Sequence, residues 1–245
     1  MIAGRSALLV GGLGLAALAL GWSHGAARAA AGTGTITGRV KFVGQAPPNA
    51  AIDMGEEPDC KAKYPTAPRA EVVTVNANGT LANVLVYVKA GLPADATYPA
   101  PTTPVVLDQN GCIYHPHVIG VVVNQPLEIR NSDPLLHNIK SLSKLNRPFN
   151  ISQPGAGMKL TRTFATPEVP IPLECNVHGW MHAFLGVFAH PFFAVTGAEG
   201  TFTLSGLPPG TYTIATWQEK YGPQEATVTV GAGETKTVDV TYTGG

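Results

Sequence analysis

Cys175, His178 and Met181 stand at C-x2-H-x2-M in the run LECNVHGWMHAF. A thiolate, an imidazole and a thioether are soft or borderline donors, a set that favours copper over magnesium or calcium. Three donors within seven residues cannot share one flat strand, because neighbouring strand residues point to opposite faces. They converge if the chain turns after Cys175, and Gly179 would permit such a turn. A mononuclear electron-transfer copper site also needs a second histidine, so that two imidazoles and a thiolate surround the ion with a weak axial methionine. His137, in IRNSDPLLHNI, lies 38 residues before Cys175, just after a strand-like run, and is available for that place.

Each donor also has an ordinary reading: Cys175 as a small core residue, Met181 as packing beside Trp180, His137 as a loop histidine. Zinc is the rival metal, held by Cys175, His178 and either His182 or His137, but it leaves Met181 without a role. His115, His117, His182 and His190 read as structural or surface residues, with His182 turned to solvent. His117 and His182 are the auxiliary ligands to expect if the site departs from the two-His, Cys, Met set. A Cys175 and His178 nucleophile pair has no third orienting group or oxyanion loop in the sequence. An enzyme would need a second copper or an open coordination position, and neither is legible, so a non-enzymatic role is expected.

The elements that must position these donors are strands. With Gly 28, Pro 21 and only 13% charged residues, turn formers are abundant and long solvated helices are disfavoured. Short runs rich in Val, Thr, Ile and Tyr predict an all-β protein. TITGRVKFVG (from Gly34) alternates as a strand. EVVTVNANGTLANVLVYVKAG reads as a hairpin through Asn78 and Gly79. The acidic stretch between them, AIDMGEEPDCKAKYPTAPRA, reads as a surface loop, with Glu56 and Glu57 solvated. After a Pro-rich connector ending near residue 104, strands are expected at 105–107, 112–114, 118–123, 127–131, 158–164, 171–175 and 184–189. The stretch between residues 131 and 158 reads as one long irregular loop. Residues 191–245 form a meander with five countable strands and one wet face.

The N-terminus carries Arg5, the apolar run SALLVGGLGLAALALGW and the small-residue tail SHGAARAAAG, the pattern of a secretory signal over residues 1–31. Its removal would take Arg5 and Arg28 from the 16 basic residues, leaving 14 against 16 acidic ones and a net charge of −2. A periplasmic or extracellular protein is expected, with no membrane attachment after cleavage. Sparse, balanced charge excludes a nucleic-acid binder. In an oxidising compartment Cys60 and Cys112 form a possible disulfide, with Cys175 the odd one out.

Taken in order, N-x-D-x-x-x-H-N after a strand and C-x2-H-x2-M much later resemble the cupredoxins, and the short ligand loop looks like that of the amicyanin group. The segment YHPHVIGVVVNQPLEIRN is similar to that family's opening strands. The resemblance covers 105–190 and implies a Greek-key β-sandwich holding one copper per chain. By that resemblance His137, Cys175 and His178 are equatorial ligands, Met181 is axial, and Asn138 ties the two ligand loops together. It further implies one-electron transfer to a transient redox protein partner, with His178 as the electron port, docking around Gly179 and Trp180, and Trp180, Phe184 and Leu185 tuning the potential. The alternative is copper capture or delivery, or a structural surface protein with a degenerate or zinc-occupied site.

A second resemblance lies in AVTGAEGTFTLSGLPPGTYTIATW, which looks like the carboxypeptidase regulatory-like, or transthyretin-like, β-sandwich. It implies a second antiparallel β-sandwich over 191–245. That family opens with strands like TITGRV and NVLVYV, so residues 33–90 are expected to complete this sandwich, with the copper domain inserted between. The alternative is that residues 33–90 pack on the copper domain, a version that a Cys60–Cys112 disulfide favours.

Overall fold

The computed structural model describes residue 1 and residues 32–245. The signal-like segment 1–31 lies, apart from residue 1, outside the described residues. Among these, no helix is long and apolar enough to cross a membrane, and apart from the single turn α1 (Pro58–Lys61) the regular structure is all strand.

Two pairs of sheets enclose separate cores. The strands of the first pair are β3 (Val105–Gln109), β4 (Tyr114–His115), β5 (Val118–Val122), β6 (Leu127–Asn131), β7 (His137–Ser141), β8 (Asn150–Gln153), β9 (Met158–Arg162), β10 (Glu168–Glu174) and β11 (His182–Phe188). They form one sheet in the order β4-β3-β6-β9 and another in the order β5-β11-β10-β7-β8. Leu107, Ile129, Ile139, Ile171, Leu173 and Leu185 fill the space between them.

The second pair is built from both ends of the chain. Its strands are β1 (Gly34–Val43), β2 (Leu85–Ala90), β12 (Phe193–Val195), β13 (Thr201–Leu207), β14 (Gly210–Gln218), β15 (Gly222–Val230), β16 (Thr235–Thr237) and β17 (Val240–Thr243). β1 lies antiparallel to β13 on one side and parallel to β16 and β17 on the other. β2 lies between β12 and β14, with β15 beyond. Along β1 every second residue is buried, and Ile36, Val40 and Phe42 meet Val86, Leu204, Ile214 and Tyr242 in the core.

The two sandwiches meet through Leu85, Val118, Phe188 and Trp217. Here β5 and β11 need bare backbone: a Cβ on Gly120 would fall 2.5 Å from the Phe193 ring, and one on Gly186 would fall 2.7 Å from that of Phe188. Phe188 and Phe193 stack at 4.4 Å between centroids in the space so left.

Several expectations are corrected. The stretch expected to be one irregular loop contains β7 and β8, which pair with each other and, through β7, with β10. Their polar residues Asn138, Lys140 and Asn150 hide the alternation, and the pairing that makes them strands is long-range. The expected hairpin arm 71–77 is no strand and makes only an isolated bridge, Val75 to Leu81. Instead, the Asn49 side chain takes a partner strand's place, accepting from the Val73 N–H and donating to the Val73 carbonyl, both at 3.0 Å. The expected strand at 112–114 begins at Tyr114, because Cys112 sits at φ +57. Residues 191–245 carry six strands rather than five. Nor is 51–70 simply a surface loop: Met54 and Cys60 are buried in the core of the first sandwich.

Candidate metal centre

β10 ends at Glu174 and β11 starts at His182, so Cys175 to Met181 form the connecting turn. The turn closes on itself: the Met181 N–H donates to the His178 carbonyl at 2.9 Å and the Cys175 N–H to the Met181 carbonyl at 3.1 Å. Gly179 is not what permits it. A Cβ there would meet nothing within 4 Å and its φ is outside the left-handed range, so the turn does not require a glycine at this position.

His137 opens β7, and β7 pairs with β10, which brings its ring to the Cys175 loop. One ligand atom each from His137, Cys175 and His178 lies within 4.8 Å of the others, and all three residues are buried. The two Nδ1 atoms are 3.0 Å apart, and Cys175 Sγ is 3.9 Å from His178 Nδ1. These spacings suit an ion held at about 2.0 Å by nitrogen and about 2.3 Å by sulfur. Met181 is buried in the same core, 1% exposed.

Metal binding needs a thiolate and neutral imidazoles, and the surroundings favour these forms at Cys175 and His178 but oppose the neutral form at His137. Burial pushes the Cys175 thiol up, but His137 and the backbone N–H groups of His178 and Val177 outweigh it and hold the thiol below its ordinary value. Burial, helped by the charge of His137, keeps His178 below the usual histidine range. At His137 burial pushes down, and the sulfur of Cys175 and the carboxylate of Asp133 push up by more.

Asp133 is the residue whose role sequence reasoning missed, although the N-x-D-x-x-x-H-N pattern contains it. It is 1% exposed and accepts from the Gly111 N–H at 2.9 Å, the Cys112 N–H at 2.7 Å and His137 Nε2 at 2.9 Å, with Lys63 Nζ also 2.9 Å away. A carboxylate can only accept, so His137 carries its proton on Nε2 and presents Nδ1 to the site. Despite burial, these donors, Lys63 first among them, hold the Asp133 carboxyl down to about 2. Its grip also over-determines the left-handed backbone at Cys112. Asn138, 5% exposed, accepts from the Asn176 N–H at 3.2 Å and so links β7 to the ligand turn.

His178, expected to be the electron port, has its edge covered in the fold. His178 is 2% exposed, and its Nε2 faces Cys60 Sγ at 3.8 Å. Cys60 is bonded to Cys112, Tyr64 Oη donates to the Gly111 carbonyl at 2.8 Å, and Lys63 pairs with Asp133. Three ties thus clamp residues 60–64 over the site. Phe184 belongs to the junction between sandwiches rather than to the site, and His182 is half-buried rather than turned to solvent. His115 is exposed; His190, half-buried, bonds the Val88 carbonyl at 2.8 Å. His117 and His182 do not join the Cys175 cluster. They meet each other and Glu219 instead.

A carboxypeptidase regulatory-like domain model matches residues 189–243. A search of curated proteins finds no match to the chain. Among solved structures, the chain is similar to a copper-containing nitrite reductase from Thermus scotoductus, at 21% identity and a TM-score of 0.33 over 40% of this chain and 25% of that one. The chain thus spans a quarter of that enzyme's length. A purple cupredoxin from Nitrosopumilus maritimus matches at 18% identity and a TM-score of 0.29, covering 34% of this chain and 97% of that one. A copper(I) amicyanin variant matches at 16% identity and a TM-score of 0.31, covering 42% and 97%. The reading of the metal centre rests on the donor atoms described above.

Proposed function

We propose that the protein is an exported copper protein that transfers single electrons through His137, Cys175, His178 and Met181. The observation that carries this reading is the buried meeting of one thiol and two imidazoles, with their Nδ1 atoms 3.0 Å apart, in the core that also buries Met181. That donor set suits copper, with its weak axial methionine, better than it suits a four-coordinate zinc. Copper supplies a one-electron couple when bound there. Asp133 and the closed 175–181 turn fix the donors in advance, which keeps their rearrangement between redox states small. Cys175 is 4% exposed, in a core that includes Leu185 and has Trp180 packed against it, and Met181 would tune the potential as the weak ligand. Since the His178 edge is covered, a redox partner would dock transiently on the apolar residues next to the donors, Leu136 (44% exposed) and Val177 (42% exposed).

The test is spectroscopic. Protein loaded with Cu(II) should show an intense visible band and a narrow copper hyperfine splitting in its EPR spectrum, both lost in Cys175→Ser. A colourless copper adduct of the wild type would overturn the reading.

The covering of His178 by Cys60 favours a second reading, copper capture or delivery without redox turnover. Stopped-flow mixing of the Cu(II) form with a small electron donor separates the two. Rapid bleaching supports electron transfer, and tight Cu(I) binding with slow or absent bleaching supports capture.

A further inference from the structure

We infer that His117, His182 and Glu219 form a second metal site, one that takes a divalent first-row transition ion and is distinct from the Cys175 centre. A ligand atom from each lies within 4.8 Å of the others. The three come from separate parts of the fold: His117 precedes β5, His182 begins β11, and Glu219 lies in the β14–β15 turn of the other sandwich. Each is held. The His117 carbonyl accepts the Phe184 N–H at 2.9 Å, locking β5 beside β11. The Gln218 side chain accepts from the N–H groups of Lys220 and Tyr221, which fixes the turn that carries Glu219.

The hydrogen bonding leaves one imidazole nitrogen of His182 free, and a bound ion would replace the proton shared between His117 and Glu219. His182 Nδ1 lies 3.0 Å from the Trp180 carbonyl. A carbonyl can only accept, so Nδ1 carries the proton and Nε2 keeps its lone pair, as in histidines that bind metals through one nitrogen while the other is tied to an acceptor. His117 Nε2 points at Glu219 Oε2, and the two side chains are 7% and 10% exposed. The imidazole rings of His117 and His182 stand edge to face, 5.2 Å between centroids.

Two imidazoles and one carboxylate suit zinc, copper(II), nickel or iron(II), and suit calcium or magnesium poorly. Three protein donors leave coordination positions open. A cavity of about 290 Å³ borders His117, His182, Trp180 and Tyr114, large enough for water or a small anion at such a position. Without an ion, the same residues would be only a His117–Glu219 hydrogen bond across the junction, and the lone pair of His182 would have no use.

The experiment is zinc counting by mass spectrometry on the wild type, His182→Ala and Glu219→Gln after equilibration with Zn(II), together with anomalous diffraction at the zinc edge from wild-type crystals. Circular dichroism verifies that the variants fold, and Glu219→Gln keeps the size and hydrogen bonding of the side chain. The expected result is an anomalous peak among His117, His182 and Glu219, loss of one zinc equivalent in His182→Ala, and at least tenfold weaker binding of that equivalent in Glu219→Gln. Equal zinc content and affinity in all three proteins, or a zinc peak only at the Cys175 cluster, would overturn the inference. Neither result depends on whether the Cys175 centre transfers electrons.

Discussion

The two sandwiches are made by the same rules and differ in what they bury. In the second, the buried polar residues Thr80, Thr196, Thr216 and Gln218 do not ionise, and each serves the chain: Thr196 Oγ1 bonds the Leu81 carbonyl and Thr216 the Tyr242 hydroxyl. In the first, Asp133, His137, His178 and Cys175 are all buried at one end. Burying ionisable groups costs free energy unless each finds a partner, and here the partners include other members of the cluster, Lys63 of the segment clamped over it, and the backbone N–H groups of Gly111 and Cys112. The contrast locates function: one sandwich spends its interior on packing alone, and the other gives up apolar volume to hold donors ready.

Breaking the packing of the second sandwich should produce the largest effect. Ile214, fully buried in that core, when changed to Ala should lower stability by about 2–5 kcal/mol in a denaturant titration. Copper affinity of the folded protein should not change; a joint fall in both would mean that the sandwiches are energetically one body at the site.

In the first sandwich the order of effects reverses. Asp133→Asn should weaken metal affinity roughly 10- to 100-fold, through the lost orientation of His137, with a smaller change in stability. Competition with a chromogenic chelator measures it. Unchanged affinity would show that the 175–181 turn alone sets the donor geometry.

The smallest effect concerns a carboxylate away from the metal. Burial pushes Glu168 up, but Ser143 Oγ, the Lys144 and Leu145 N–H groups and Asn146 outweigh it, so its carboxyl lies below the ordinary glutamate value. A lowered folded-state pKa means that its stabilisation is complete above the ordinary value and fades as pH falls through the folded one. Thermal melts of wild type and Glu168→Gln should therefore differ at pH 7 and converge as the pH falls below the ordinary glutamate value and through the folded one. A difference that persists in acid would assign the effect to the shape of the loop instead of its charge.

Some of this was legible from residues alone. Leu127–Asn131 alternates and is a strand with those bounds. Cys175 and His178 are singled out by their spacing, because a thiol and an imidazole three residues apart across a turn are already neighbours. β7 escaped notice because its burial comes from pairing with β8 and β10, a long-range property its own five residues do not encode. Asp133 escaped because its role depends on backbone N–H groups at Gly111 and Cys112, which have no side-chain signature. Glu219 is 102 residues from His117, and nothing in the sequence around it marks that partner.

What the sequence determined by itself is therefore local: the alternation that makes strands, the turn residues that end them, and a set of soft donors whose types and order suit copper. The tertiary structure decided which donors meet, that His178 is closed off by Cys60 instead of open to a partner, and that His117 and His182 face Glu219. The physical reason is that donor chemistry belongs to a residue, whereas a separation of 3.0 Å between nitrogens 41 residues apart belongs to strand register and to the ties that clamp distant segments together.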